Sequence, residues 1–418
     1  MYSKITPIDM KKKPRKAIWF LRPIIYLGSI FDTIRNRCKI EKINCKNLKW
    51  PYLIVANHAS FLDFEVNELA TFPHNTSYIC SIEEFVGREW LMRGIGAFPK
   101  RKYTKDLRVV KNTLHCIKNL RNSVTIYSEA KYTICGINER IDHAMGKLAK
   151  IAGVPVVTLM CHGNFLSCPH WDQKHPRKLR HYAEFKCIVD KDEIKTLTAE
   201  EIQSRIEKEF VYDDFKWQYD NKIKIKSKLR ANNIHNALYK CPHCLKDYSM
   251  NSSLTELFCT NCGINYHMDE YSRLHATNGE TKFEHVPDWY RWERDEVRKE
   301  IEEGTYHFDD IVRIEHLDNA KLGFRTLGHI KFTHDMDGIH LHGKLDDGTN
   351  FDFDNAPINT PSIHVEYNFK KKGTKIRGQA IDINTENDTW FIYPQTNDRV
   401  LTKIHLAVEC LFDKASKE

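Results

Sequence analysis

Short apolar runs alternate with helix-period stretches over nearly half of this chain, and that alternation limits the architecture more than any other feature. Between residues 46 and 218 the runs "YLIVA", "SYICS", "SVTIY" and "VPVVTLM" are separated by "FLDFEVNELA", "DLRVVKNTLHCIKNLRN" and "HAMGKLAKIAG". Strand, helix, strand repeated in this way predicts an α/β domain, a mixed sheet flanked by helices and buried on both faces. Leu107, Val110, Leu114, Ile117 and Leu120 recur at intervals of three and four and are expected to face the core. "TAEEIQSRIEKEF" places Thr198 and Glu201 at capping-box spacing and reads as the closing helix of this domain.

The 418 residues suffice for several further units. Residues 1–45 carry "KKKPRKAIWFLRPIIYLGSIFDTI", in which Arg22 and Pro23 interrupt the apolar stretch. A span needs about 20 mostly apolar residues, so this segment is expected to lie on a membrane surface, with an ordinary amphipathic helix packed on the first domain as the alternative. Trp19, Phe20, Ile24, Tyr26, Leu27, Ile30 and Phe31 would dip into the acyl region, while Lys11, Lys12, Lys13, Arg15, Lys16 and Arg22 meet anionic headgroups. A formal net charge of +8 suggests an acidic partner, which composition leaves open among nucleic acid, an anionic membrane surface and a phosphorylated substrate. Residues 219–235, with "NKIKIKSKLR", read as a basic solvated linker, with headgroup contact as the functional alternative.

Of thirteen cysteines, four fall in two C-x-x-C pairs and the rest are scattered, which suits a reducing cytosol rather than a disulfide framework. Cys241, Cys244, Cys259 and Cys262, within residues 236–270, have the spacing of a zinc ribbon. Four cysteine ligands leave no open position, so Zn2+ would be structural, and the scarcity of aromatic and Arg residues there argues against nucleic acid as a partner. Residues 280–418 begin with a helical segment and continue as short runs with "DG" turns, predicting an antiparallel β-rich domain. His334, His340 and His342 within it could bind a metal, but alternating strand histidines read first as surface residues.

The chemistry concentrates at "NHASFLD", residues 57–63. On one helix, residues five apart diverge by about 140°, so His58 and Asp63 meet only if His58 lies in the loop leaving "LIVA" and Asp63 in the first turn of the next helix. There, beyond the carboxyl end of a strand, α/β sheets place their ligands. An Asp accepting one imidazole N–H would fix the tautomer of a His that removes a proton through its other nitrogen.

This stretch resembles the first motif of the 1-acyl-glycerol-3-phosphate acyltransferase family, Asn-His-x-Ser-x-x-Asp, at Asn57, His58, Ser60 and Asp63. Three later blocks follow in order. "GIGAFPKR" resembles the second, with Gly94, Gly96, Phe98 and Arg101. "YSEAKYT" keeps only Glu129 of the third, Phe-Pro-Glu-Gly-Thr-Arg, with Lys131 as a substitute cation. "GVPVVTLM" around Pro155 resembles the fourth. The resemblance implies an acyltransferase moving a fatty acyl group from acyl-CoA or acyl carrier protein to the free hydroxyl of a lysophospholipid acceptor, 1-acyl-glycerol 3-phosphate, giving phosphatidate. His58 would be the base and Asp63 its orienting partner. Asn57, Ser60, Arg101, Glu129 and Lys131 would serve acceptor binding, Ser60 through a hydrogen bond within the motif loop and Arg101 through the phosphate. The expected location is cytoplasmic, peripheral on the inner face of the membrane. The alternative is a catalytically silent lipid-binding or scaffold protein that recruits partners through its ribbon and β domain.

Overall fold

The computed structural model describes residues 5–370 and 377–417. The apolar runs form a seven-stranded mixed sheet from β1 (Lys39–Ile43), β2 (Leu53–Ala56), β3 (Thr76–Ser81), β4 (Ala97–Lys100), β5 (Ser123–Tyr127), β6 (Val156–His162) and β7 (Tyr182–Val189), in the order β1-β7-β6-β2-β5-β3-β4. The five strands from β6 to β4 in that order run parallel, whereas β7 lies antiparallel to β6 and carries β1 parallel at the edge. All four residues of β2 are buried, as a continuous apolar run in the middle of a covered sheet requires.

Thr198 and Glu201 form both bonds of the capping box on the helix Ala199–Glu209, as their spacing predicts. The helix Leu107–His115 turns differently from its predicted stripe. Val109, Thr113, Cys116 and Ile117 are buried, Val110, Leu114 and Leu120 pack at the margin, and Leu107 is exposed. A π-helical turn over Cys116–Leu120 widens the spiral and rotates the later positions relative to the earlier ones.

The N-terminal helix Leu21–Arg35 packs Leu21, Tyr26, Ser29 and Thr33 inward, against the helix Leu62–Thr71. Its outer face leaves Phe20, Ile24, Leu27, Phe31 and Ile34 exposed at alternating spacings of four and three, with Ile30 alongside and Trp19 82% exposed. Tyr26 and Arg22 depart from the expected surface role. Tyr26 is buried, and the Arg22 guanidinium donates to its hydroxyl and to the Pro73 carbonyl, both at 2.8 Å. Among the described residues no helix is long and apolar enough to cross a membrane.

The basic segment after the first sheet is not a free linker. Ile225 is buried and its N–H donates to the Glu270 carbonyl at 2.8 Å, while Lys222, Lys224, Lys226 and Lys228 point to solvent. Alternation thus reported one packed face. Beyond it, β8 (Met250–Ser253), β9 (Glu256–Cys259), β10 (Asn265–Met268) and β11 (Leu274–Asn278) make a small antiparallel sheet, followed by the helix Val286–Glu302.

The β-rich region is a second seven-stranded sheet, antiparallel throughout, of β12 (Phe308–Asn319), β13 (Gly323–Asp335), β14 (Gly338–Lys344), β15 (Asn350–Asn355), β16 (His364–Lys370), β17 (Arg377–Asn384) and β18 (Thr389–Pro394), ordered β15-β14-β13-β12-β18-β17-β16. A buried helix, Leu401–Ala415, packs against the helix Val286–Glu302. One apolar core runs through all three regions, joining Ala59, Phe165 and Trp171 to Tyr239 and Tyr266 and then to Trp289, Ile314, Ile381 and Leu406.

Candidate active site

The loop leaving β2 holds His58, and Asp63 is the second residue of the helix Leu62–Thr71, the arrangement that a five-residue spacing demands. The His58 Nδ1 lies 3.0 Å from Asp63 Oδ2, and the same oxygen accepts from the N–H groups of Ala59 at 2.6 Å and Ser60 at 2.9 Å. Since those two neighbours are obligate donors to Oδ2, the imidazole hydrogen sits on Nδ1 and the lone pair on Nε2. The Asp63 side chain is 1% exposed and the imidazole 22%, so the carboxylate is enclosed while the ring keeps an opening.

Two further residues extend the dyad, and no spacing in the sequence pointed to them. Asn164, just past β6, donates from Nδ2 to Asp63 Oδ1 at 2.7 Å, and its Oδ1 accepts from His181 Nδ1 at 2.6 Å. His181 is fully buried, and burial pushes its imidazole down to about 4, so it stays neutral and holds Asn164 in one amide orientation. Asn57 serves the sheet: its side chain donates to the Cys161 carbonyl at 3.0 Å and accepts from the Cys161 N–H at 2.8 Å, continuing the β2–β6 ladder by one rung. Ser60 Oγ, expected to bond within the loop, is buried with no hydrogen-bond partner among the described residues.

Glu129, two residues beyond the end of β5, braces the loop from behind. Its carboxyl accepts from the His58 N–H at 3.0 Å, the Glu139 N–H at 2.9 Å and the Tyr212 hydroxyl at 3.0 Å, and it is 1% exposed. Burial pushes this carboxyl up to about 8, against the lowering effect of the backbone N–H groups. The next residue, Ala130, has φ +57°, a left-handed conformation that favours glycine. Tyr127 stacks on the His58 ring at 4.0 Å between centroids, and Tyr132 lies 4.3 Å from it at a 44° tilt.

The two other cations assigned to acceptor binding lie against the second seven-stranded sheet and its helix. Lys131 is 3% exposed; its Nζ lies 3.1 Å from Glu139 and 2.7 Å from Glu409, and contacts Ser362 Oγ at 3.1 Å. Burial alone would discharge this ammonium, and the two carboxylates outweigh it. Arg101 is half-buried and donates to the Glu386 carbonyl at 3.3 Å. Its neighbour Lys102 is buried between Glu83 and Asp382, 2.7 Å from the latter.

Cys241, Cys244, Cys259 and Cys262 come together at one end of the small sheet, with all four sulfurs within 4.8 Å of one another. Cys241 to Cys262 and Cys244 to Cys259 are both 3.7 Å. Tetrahedral zinc with bonds of about 2.3 Å sets sulfurs about 3.8 Å apart, a spacing that these two pairs already have, so the donor set is compatible with such an ion.

No family model and no curated protein matches the chain. Among solved structures, the 1-acyl-sn-glycerophosphate (LPA) acyltransferase from Thermotoga maritima aligns over 46% of this chain and 77% of its own, at 16% identity and a TM-score of 0.37.

Proposed function

We propose that this protein is an O-acyltransferase that transfers a fatty acyl group from a thioester donor, acyl-CoA or acyl carrier protein, to the free hydroxyl of a lysophospholipid, with 1-acyl-glycerol 3-phosphate as acceptor. The observation that carries this reading is the dyad: a half-open imidazole whose Nδ1–H is held by a buried carboxylate. Its Nε2 accepts the acceptor's hydroxyl proton as that oxygen attacks the thioester carbonyl; the carbon–sulfur bond then breaks and the imidazolium returns the proton to the leaving thiolate. Asp63 holds the ring and stabilises the transient cation.

A bilayer substrate also accounts for the outer face of the helix Leu21–Arg35, with Lys11, Lys12, Lys13, Arg15 and Lys16 exposed just before it. Docking there would make the protein peripheral on the inner, cytoplasmic face of the membrane. The four cysteines would hold one structural Zn2+, which would supply folding free energy to a small sheet and no reaction step. Metal analysis after exhaustive dialysis should find a tightly held zinc that Cys259→Ser lacks.

The decisive experiment gives the purified full chain a labelled acyl donor and a panel of lysolipids. Phosphatidate from 1-acyl-glycerol 3-phosphate supports the reading in full. A different acylated lipid keeps the reaction and replaces the acceptor. The burial of Lys131 and the engagement of Arg101 favour one second reading, a silent lipid-binding scaffold; product from no acceptor, with liposome binding retained, would establish that reading instead.

A further inference from the structure

The three histidines that alternation placed on a strand surface separate into two kinds. His334 on β13 is 1% exposed and pairs with the Tyr306 hydroxyl at 2.9 Å. His340 and His342 on β14 stand on one face, two residues apart, and the register sets His340 opposite Asp354 and His342 opposite Asp352 on β15. His342 Nε2 is 2.9 Å from Asp354 Oδ1, and its Nδ1 is 3.1 Å from Asp352 Oδ1. His340 bonds through Nδ1 to the same Asp354 oxygen, and its Nε2 is 3.4 Å from Asp335 Oδ1. One carboxylate oxygen therefore stands between two imidazoles, with two more carboxylates on the flanks. The two rings lie nearly parallel, 6.3 Å between centroids at 18°. Gly338, at φ +116°, lets the strands close this far, because a Cβ there would come within 2.2 Å of the Asn355 carbonyl.

We propose that His340, His342 and Asp354 form a surface site for a divalent transition-metal ion, with Asp352 or Asp335 as further oxygen ligand. The three donor atoms lie within 4.8 Å of one another. Ions of the zinc, cobalt and nickel type, with bonds of about 2.1 Å, hold ligand atoms about 3.4 Å apart, a distance reached by side-chain rotation alone on an exposed face. Mixed imidazole and carboxylate donors suit these ions rather than calcium or magnesium. The three aspartates offset the ion's charge, and they supply the carboxylate partners that hold ligating histidines in one orientation.

The contrasting cluster is His170, His364 and Glu366, which is buried. There His170 already spends both ring nitrogens, on the Val365 carbonyl at 2.6 Å and the Gln173 amide at 3.0 Å, and the Lys102 ammonium adds its own positive charge nearby. Both rings on β14 are likewise engaged at both nitrogens, but their partners are solvent-accessible carboxylates that can themselves ligate an ion, whereas His170 is fixed in the interior by a backbone carbonyl and an amide.

The test is titration of the untagged full chain with Co2+, whose thiolate charge-transfer absorption separates cysteine ligation from imidazole and carboxylate ligation. The parent should take up one equivalent more than H342Q or D354N, without added thiolate absorption, and each variant should weaken that equivalent at least tenfold. Both substitutions are near-isosteric at exposed positions, so folding is retained, as an unchanged Tm without metal would verify. Equal stoichiometry and affinity in the parent and both variants would overturn the site. Because the comparison is between parent and variants, its outcome is independent of whether the four cysteines hold zinc.

Discussion

Two pairings of histidine with aspartate in this chain use the same functional groups in opposite ways. Around His58, one imidazole meets one carboxylate that is enclosed and already accepts from the backbone N–H groups of Ala59 and Ser60 and from Asn164. Around Asp354, two imidazoles converge on a carboxylate that is 60% exposed. Enclosure with a single allowed tautomer yields a proton acceptor aimed in one direction. Exposure with several convergent donors yields a set of ligands. Residue type alone does not choose between these roles; solvent access and the number of fixed hydrogen bonds do.

The comparison breaks most sharply at His58. His58→Ala should lower acyl transfer about a thousandfold, a barrier increase of about 4 kcal/mol, in a chain that still unfolds cooperatively. Turnover near the parent's would remove the base assignment. Next in size, Asn164→Ala leaves Asp63 Oδ1 without its side-chain donor and the His181 N–H unpaired in the interior. Chemical denaturation should show a loss of about 1–3 kcal/mol, accompanied by lower kcat; a stable variant of unchanged kcat would cut Asn164 out of the positioning chain.

Acid provides a third measure. Burial pushes His181, His235 and His364 down to about 4 and His334 and His405 to about 3. Their ordinary value is near 6.5, so the unfolded chain takes up protons first as pH falls. Their contribution is complete above about 6.5 and is lost progressively down to 3–4. A Tm that stays level from pH 7 to pH 5 would contradict the neutral, buried state of this set. The smallest effect expected is a gain: Ala130→Gly should stabilise by about 1 kcal/mol by relieving a left-handed alanine, and a loss there would show that the Ala130 methyl packs usefully.

Much of this was readable from the chain because it is local. β2 announces itself as four consecutive apolar residues, and the His58–Asp63 contact follows from where a strand ends and a helix begins. Hairpins turned at "DG", as between β13 and β14, are equally local. Asn164 and Lys131 could not be read in the same way: Asn164 lies 101 residues from Asp63, and Lys131 lies 278 residues from Glu409. Neither side chain carries a mark of its distant partner. The helix Leu401–Ala415 was missed for another reason, since every position from Leu401 to Leu411 except Lys403 is buried, leaving little polar stripe against which an apolar face could show.

The tie between Lys131 and the helix Leu401–Ala415 also sets an order in time. Chains fold as they are made, amino-terminal parts first, so the strands around β2 can assemble while later residues are still being added. The turn from Glu129 to Tyr132, which braces His58 and places an aromatic ring beside it, has an anchor that does not yet exist at that stage: Ser362 and Glu409 follow Lys131 by 231 and 278 residues. The imidazole therefore acquires its finished surroundings only when that later segment arrives, and a ribosomal product that stops short of Glu409 leaves the ammonium of Lys131 without one of its two carboxylates.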